Sequence, residues 1–156
     1  MDLRIFFLTD NKLWFEHIVA NLVPSIKGYQ IEIFCSPKGT PLFDSEICSG
    51  AIKVLDLGNL NDEWMRQYEV GISAHCKQIF PAKLVECVRC YNIHPGFNPY
   101  NRGWFPQVFS IINKKKCGVT VHEMDAKIDH GRIIARKEFS IIRRATSGDV
   151  YRCLLK

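Results

Sequence analysis

Apolar residues fall in short runs separated by polar turns, and over the first two-thirds of the chain these runs alternate between two periods. Leu3–Leu8 is apolar apart from Arg4 and reads as a buried strand. Lys12–Leu22 places Leu13, Ile18, Val19 and Leu22 at helical spacing. Ile31–Cys35 and Ile52–Leu55 read as further strands, with a Pro- and Gly-containing loop, Ser36–Pro41, after the first of them. Asn61–Tyr68 reads as a helix whose first turn holds Asp62 and Glu63, the charge its dipole favours. Val70–Ala74 reads as a buried strand, Pro81–Val85 as a short helix opened by proline, and Cys87–Ile93 as the strand that follows. This rhythm predicts an α/β fold: a doubly wound, mostly parallel, Rossmann-like sheet with its strand C-termini on one rim.

The pattern then changes. Trp104–Asn113 reads as a helix, in which Phe105 and Phe109 have the spacing of core residues. Gly118–Glu123 and Arg132–Phe139 read as strands joined by a loop, predicting a C-terminal antiparallel pair. Val150, Tyr151, Leu154 and Leu155 open a last helix, with Ser147 as its expected cap.

The 156 residues make one domain's worth of chain, 1–156, with an ordinary apolar fraction of 47%. No apolar stretch is long enough to span a bilayer, and the N-terminal run lacks the basic leader and cleavage site of a signal peptide. Seven cysteines is an odd count; most lie in apolar contexts, so a reduced, cytoplasmic protein without disulfides is expected. The net charge of +5 favours an anionic partner, a phosphorylated metabolite or RNA.

The first strand-to-helix turn, Thr9-Asp10-Asn11-Lys12, has no glycine, which argues against a dinucleotide-binding oxidoreductase. The chemistry gathers elsewhere. Asn92-Ile93-His94-Pro95-Gly96 closes an apolar strand, so Asn92 and His94 project to the same side at the rim where open α/β sheets bind ligands. Asp129, in Ile128-Asp129-His130-Gly131, can bring a carboxylate to the same place. An amide, an imidazole and a carboxylate suit acyl transfer. The residues leave open whether His94 acts as hydrogen-bond donor or as base.

Four ordered blocks carry a resemblance. They are Asn92–Gly96, Pro99-Tyr100-Asn101-Arg102-Gly103, Gly118–Asp125 and Ile128–Gly131. In that order they resemble the folate-dependent formyltransferases, over a stretch from about Val70 to about Phe139. The blocks Ser73–Pro81 and Phe97–Gln107 are most similar to sugar N-formyltransferases acting on dTDP-4-amino-4,6-dideoxyhexoses.

The resemblance implies catalytic roles for Asn92, His94 and Asp129. It implies that N10-formyltetrahydrofolate is held by Lys77, Gln78, Ile79, Phe80, Met124 and Asp125. Thr9, Asn11, His75, Tyr100, Asn101, Arg102, Trp104 and Gln107 are the candidates for contact with a nucleotide-linked amino sugar, expected to be dTDP-4-amino-4,6-dideoxyglucose. No metal, nucleic-acid partner or membrane is implied. Relatives of this kind continue past this length with elements that help build a dimer, so a C-terminally shortened catalytic domain and a homodimer are expected. The competing readings are a methionyl-tRNA formyltransferase, a purine-pathway formyltransferase, an inactive formyltransferase-like binding module, and a metal-binding protein using His75, Cys76, His94 and His122.

Overall fold

Strand β1, Leu3–Leu8, buries its last four residues, as a central strand covered on both faces must. The computed structural model describes residues 3–103, 105–141 and 144–154. Within them the chain forms two compact units, one in residues 1–91 and the other in 92–156. With β2 at Tyr29–Cys35, β3 at Lys53–Val54, β4 at Val70–Ala74, β5 at Arg89–His94, β6 at Cys117–Glu123 and β7 at Ile133–Phe139, the strands run in one seven-stranded sheet of order β3-β2-β1-β4-β5-β6-β7. It is mostly parallel with an antiparallel C-terminal pair, the α/β architecture that the alternating periods predict.

In the first unit β1 pairs in parallel with β2, Tyr29–Cys35, from Leu3↔Tyr29 to Leu8↔Phe34, and with β4, Val70–Ala74, from Ile5↔Val70 to Leu8↔Ser73. The short β3, Lys53–Val54, pairs with the end of β2. Aromatic rings fill this core: Phe6 packs edge-on to Phe34 and Tyr68 and stacks on Phe80 with ring centroids 6.2 Å apart. Glu32 gathers Arg4, Lys53 and the Tyr68 hydroxyl, the last two each at 2.5 Å. Together they hold its carboxyl below the ordinary range despite partial burial.

The helices here are shorter than their apolar spacing suggests. The segment expected as one helix over Lys12–Leu22 is α-helical only over Lys12–His17 (α1), widens to a π-helix over Ile18–Leu22 and tightens to a 3₁₀ turn over Val23–Ser25. Pro24 explains the ending, because it brings no amide hydrogen and disfavours a helical residue before it. A one-turn α2, Asp44–Cys48, follows the 3₁₀ segment Pro37–Leu42. Helix α3 runs Asp62–Met65 under a cap from Asn61, whose side chain accepts from the Trp64 amide at 2.8 Å; α4 runs Ala82–Cys87 behind Pro81.

Strand β5, Arg89–His94, delivers the Asn92–His94 pair. In the second unit, helix α5, Pro106–Ile112, leads to β6, Cys117–Glu123, which pairs antiparallel with β7, Ile133–Phe139. A bulge between Val121 and His122 shifts the register just before the loop bearing Asp129. Strand β6 alternates as expected, but its buried side carries Gly118, Thr120 and His122, while Val119 and Val121 are only half-buried. Helix α6, Ser147–Leu154, packs Val150 and Leu154 on Cys117. Thr146, not the expected Ser147, closes its first turn: its hydroxyl accepts from the Asp149 amide at 3.2 Å while Asp149 accepts from the Thr146 amide at 2.9 Å. Leu155, assigned to the same helix from its spacing, lies outside the described residues.

Two further readings need correction. Phe105 and Phe109 are 61% and 50% exposed rather than core. Of the cysteines, all free, Cys35, Cys90 and Cys117 are buried, but Cys48, Cys87 and Cys153 face solvent. Among the described residues no helix is long and apolar enough to cross a membrane.

Candidate active site

Asn92 and His94 sit two apart on β5 and therefore share a side, and both meet Asp129 from the β6–β7 loop. Asn92 Nδ2 donates to Asp129 Oδ1 at 3.0 Å, and His94 Nδ1 lies 3.7 Å from Asp129 Oδ2. The Gly103 amide donates to the same Oδ2 at 2.9 Å. Asp129 holds a left-handed backbone, φ 50°, which a β-carbon disfavours by about 1 kcal/mol; these bonds fix it there. Its carboxyl is lowered to about 2: burial alone would raise it, but the His122 and His94 rings and the Gly103 amide more than compensate.

The imidazole of His94 is buried, and its Nε2 lies 2.8 Å from the Asn101 carbonyl oxygen. That oxygen can only accept, so Nε2 carries the hydrogen and Nδ1 presents its lone pair toward Asp129. Burial pulls the His94 pKa below the ordinary imidazole value and outweighs the opposing pull of Asp129. Gly96 is required beside it: a β-carbon there would collide with His94 Nε2 and the Asn101 carbonyl.

His122 is a second imidazole at the same carboxylate, with its ring centroid 6.4 Å from that of His94. Its Nδ1 donates to the Glu123 carbonyl at 2.7 Å; its Nε2 lies 3.4 Å from Asp129 Oδ1 and 3.3 Å from Asn92 Nδ2. Burial would lower its pKa, but the bond to Asp129 prevails and raises it. Protonated, Nε2–H faces Asp129 and leaves the second Asn92 amide hydrogen uncommitted. Neutral, Nε2 captures that hydrogen.

The loop after β5 is held from inside. Thr120 Oγ1 donates to the Gly96 carbonyl at 2.7 Å and accepts from the Asn98 amide at 3.0 Å. Arg136 Nη1 donates to the Asn98 carbonyl at 2.9 Å, and Asn98 Nδ2 reaches the Asp129 carbonyl at 3.4 Å. Asn101 is buried, with Nδ2 donating to Ser110 Oγ and to the Lys116 carbonyl, both at 2.7 Å. Gln107 is buried; Tyr100 and Arg102 are exposed, with the Tyr100 ring stacked on Phe97. Trp104, expected against substrate, lies outside the described residues. Met124 is half-buried; Asp125 is exposed, accepts from the Lys127 amide at 2.8 Å and thereby titrates below the ordinary range.

The first-unit candidates are set in a separate knot around Asp10, which is buried. Its carboxylate accepts from the Ser36 amide at 2.8 Å and the Lys77 amide at 2.6 Å, joining the turns after β1, β2 and β4. Gly39 lies so close that a β-carbon would strike that carboxylate. Thr9 is buried beneath the turn, and Asn11 caps α1 by accepting from the Trp14 amide at 3.1 Å. His75 takes a left-handed backbone, φ 63°, and burial lowers its pKa. The Gln78 side chain donates to the Leu55 carbonyl at 2.8 Å and accepts from the Leu57 amide at 2.9 Å. Ile79 is 73% exposed, whereas the Phe80 side chain belongs to the aromatic core.

Asp10, expected with Thr9 and Asn11 on the substrate rim, is instead buried under backbone amides, while Thr120 and Ser110 carry no expected role and His122 was a candidate metal ligand alone. The available signal was the strand pattern of β6, where polar residues alternate with valines and so claim one whole face. Among the described residues, no group of three or more His, Cys, Asp or Glu is arranged to hold a metal ion.

A mostly parallel α/β sheet with an antiparallel C-terminal pair has the architecture of the formyltransferase fold, and the Asn, His and Asp cluster sits in the blocks that carry the resemblance. Residues 59–156 match the formyl transferase family, and the chain belongs to that family. It is 44% identical over 153 residues to the dTDP-4-amino-4,6-dideoxyglucose formyltransferase of Mycobacterium tuberculosis, a match covering 98% of this chain and 61% of the relative. The crystal structure of a 4-N formyltransferase from Francisella tularensis superposes with a TM-score of 0.92 at 46% identity, covering 97% of this chain and 62% of that one. A sugar N-formyltransferase from a Shewanella species gives 0.86 at 38% identity, covering 99% and 64%. The chain thus spans about three-fifths of the length of these relatives.

Proposed function

We propose that this protein transfers the formyl group of N10-formyltetrahydrofolate to the 4-amino group of a dTDP-linked 4-amino-4,6-dideoxy sugar, with dTDP-4-amino-4,6-dideoxyglucose as the favoured acceptor. The observation that carries the reading is the convergence of Asn92 and His94 on Asp129, with Nε2 of His94 committed to Asn101. The full-chain likeness to the mycobacterial sugar formyltransferase supports the choice of acceptor. The donor set fits the folate. One neutral base and one amide donor, with no serine or cysteine nucleophile bonded to them among the described residues, suit an acyl group that arrives already activated.

His94 Nδ1 takes the proton that the amine loses as its nitrogen bonds to the formyl carbon. Asp129 stabilises the imidazolium so formed. Asn92 donates its uncommitted amide hydrogen to the formyl oxygen as that oxygen gains charge, and His122, protonated against Asp129, keeps the hydrogen available. When the carbon–N10 bond breaks, His94 returns its proton to the departing nitrogen, giving the formamido sugar and tetrahydrofolate.

The test is turnover of N10-formyltetrahydrofolate with dTDP-4-amino-4,6-dideoxyglucose, followed through both products. His94→Ala should lower kcat by roughly 10²–10⁴-fold while dTDP binding stays within a few-fold. Absence of turnover with every nucleotide-linked amino sugar would overturn the proposal.

A further inference from the structure

The tautomer of His94 depends on a backbone carbonyl, and the residue that owns this carbonyl is pinned from behind. Asn101 is 3% exposed. Its amide group is held through nitrogen alone, to Ser110 Oγ on α5 and to the Lys116 carbonyl before β6; Asn101 Oδ1 has no partner among the described residues. Ser110, 1% exposed, completes the clamp: Oγ accepts from Asn101 and sits 3.0 Å from the Pro106 carbonyl and 3.2 Å from that of Lys116. A hydroxyl has one hydrogen, so Ser110 can donate to only one of these carbonyls at a time. The other side of the Asn101 carbonyl is closed by Gly96, where any side chain would intrude.

We infer that Ser110 is a positioning residue for formyl transfer: through Asn101 it aims the carbonyl that keeps the His94 hydrogen on Nε2 and leaves Nδ1 as the base. Ser110 lies behind Asn101 and bonds neither to His94 nor to Asp129. Its influence runs along the sequence Ser110 Oγ, Asn101 Nδ2, Asn101 carbonyl, His94 Nε2. When the clamp loosens, the carbonyl swings, the Nε2–H tautomer loses its acceptor, and the Nδ1–H tautomer gains a partner in Asp129. A hydrogen on Nδ1 removes the lone pair that the amine proton needs.

The kinetic part of this inference rests on the formyl-transfer reading; the tautomer part does not. The experiment is long-range proton–nitrogen NMR of the full chain labelled in its histidines, with His94 assigned by His94→Gln, alongside steady-state kinetics. Wild-type His94 should be in the Nε2–H form near neutral pH. In Ser110→Ala the Nδ1–H population should rise, and kcat should fall about tenfold, the scale of one lost hydrogen bond, with both KM values within about twofold. Asn101→Asp, nearly the same shape without the two N–H donors, should act in the same direction and serves should Ser110→Ala not fold. A wild-type His94 in the Nδ1–H form would overturn the inference. So would a folded variant whose kcat falls with the tautomer unchanged, or one in which neither moves. If no substrate turns over, the function falls, while the tautomer spectra still judge the clamp.

Discussion

Two imidazoles share one carboxylate, and their surroundings push them apart: burial lowers the pKa of His94, while the bond to Asp129 raises that of His122. Opposed shifts of this kind separate a base from a charged partner within one small site. Transfer in the proposed mechanism needs His94 neutral and His122 protonated. The pH–kcat profile should therefore be a bell, with its acid limb below the ordinary 6.5 of imidazole and its alkaline limb above it. Asp129 raises both histidines, so Asp129→Asn should move both limbs to lower pH as well as lowering the maximum. A profile in which only one limb moves would show that the carboxylate serves one ring alone.

At the scale of elements, β6 does the less expected work. Its buried face carries Thr120 and His122, so the strand holds the Gly96 turn and the Asp129 carboxylate where an apolar strand would only pack. Thr120→Val keeps the shape but strands the Gly96 carbonyl and the Asn98 amide inside the protein. Urea unfolding should show a loss of about 1–3 kcal/mol, and kcat should drop because the Gly96 turn abuts the His94 ring. Unchanged stability would mean that water replaces the hydroxyl. Strands were the legible part of this sequence: β1 and β4 match their apolar runs residue for residue. The pairing of Asn92 with His94 followed from the two-residue period, and four ordered blocks brought in Asp129. The helices were less legible because one-turn pieces such as α2 carry too few residues to show a period. The structural roles of Asp10, Ser110 and Thr120 escaped for another reason. Their partners lie far along the chain or are backbone groups, and neither leaves a mark on local composition.

For the molecule as a whole, the net charge of +5 acts at longer range than any bond described above. A nucleotide sugar carries a pyrophosphate, so its encounter with this surface should be favoured and screened by salt. Between about 0.05 M and about 0.5 M NaCl, KM for the sugar nucleotide should rise about threefold or more with kcat little changed. A flat KM would assign phosphate recognition to short-range contacts. Were an RNA the acceptor instead, the same net charge would produce a far steeper salt response.

The polar lining of β6 also bears on protein engineering. A redesign program that scores interiors by hydrophobicity would flag Thr120 and His122 as flaws and replace them with valine or isoleucine. The resulting variant would melt more easily, not less, since the supposed flaws satisfy the Gly96 carbonyl, the Asn98 amide and the Asp129 carboxylate inside the protein.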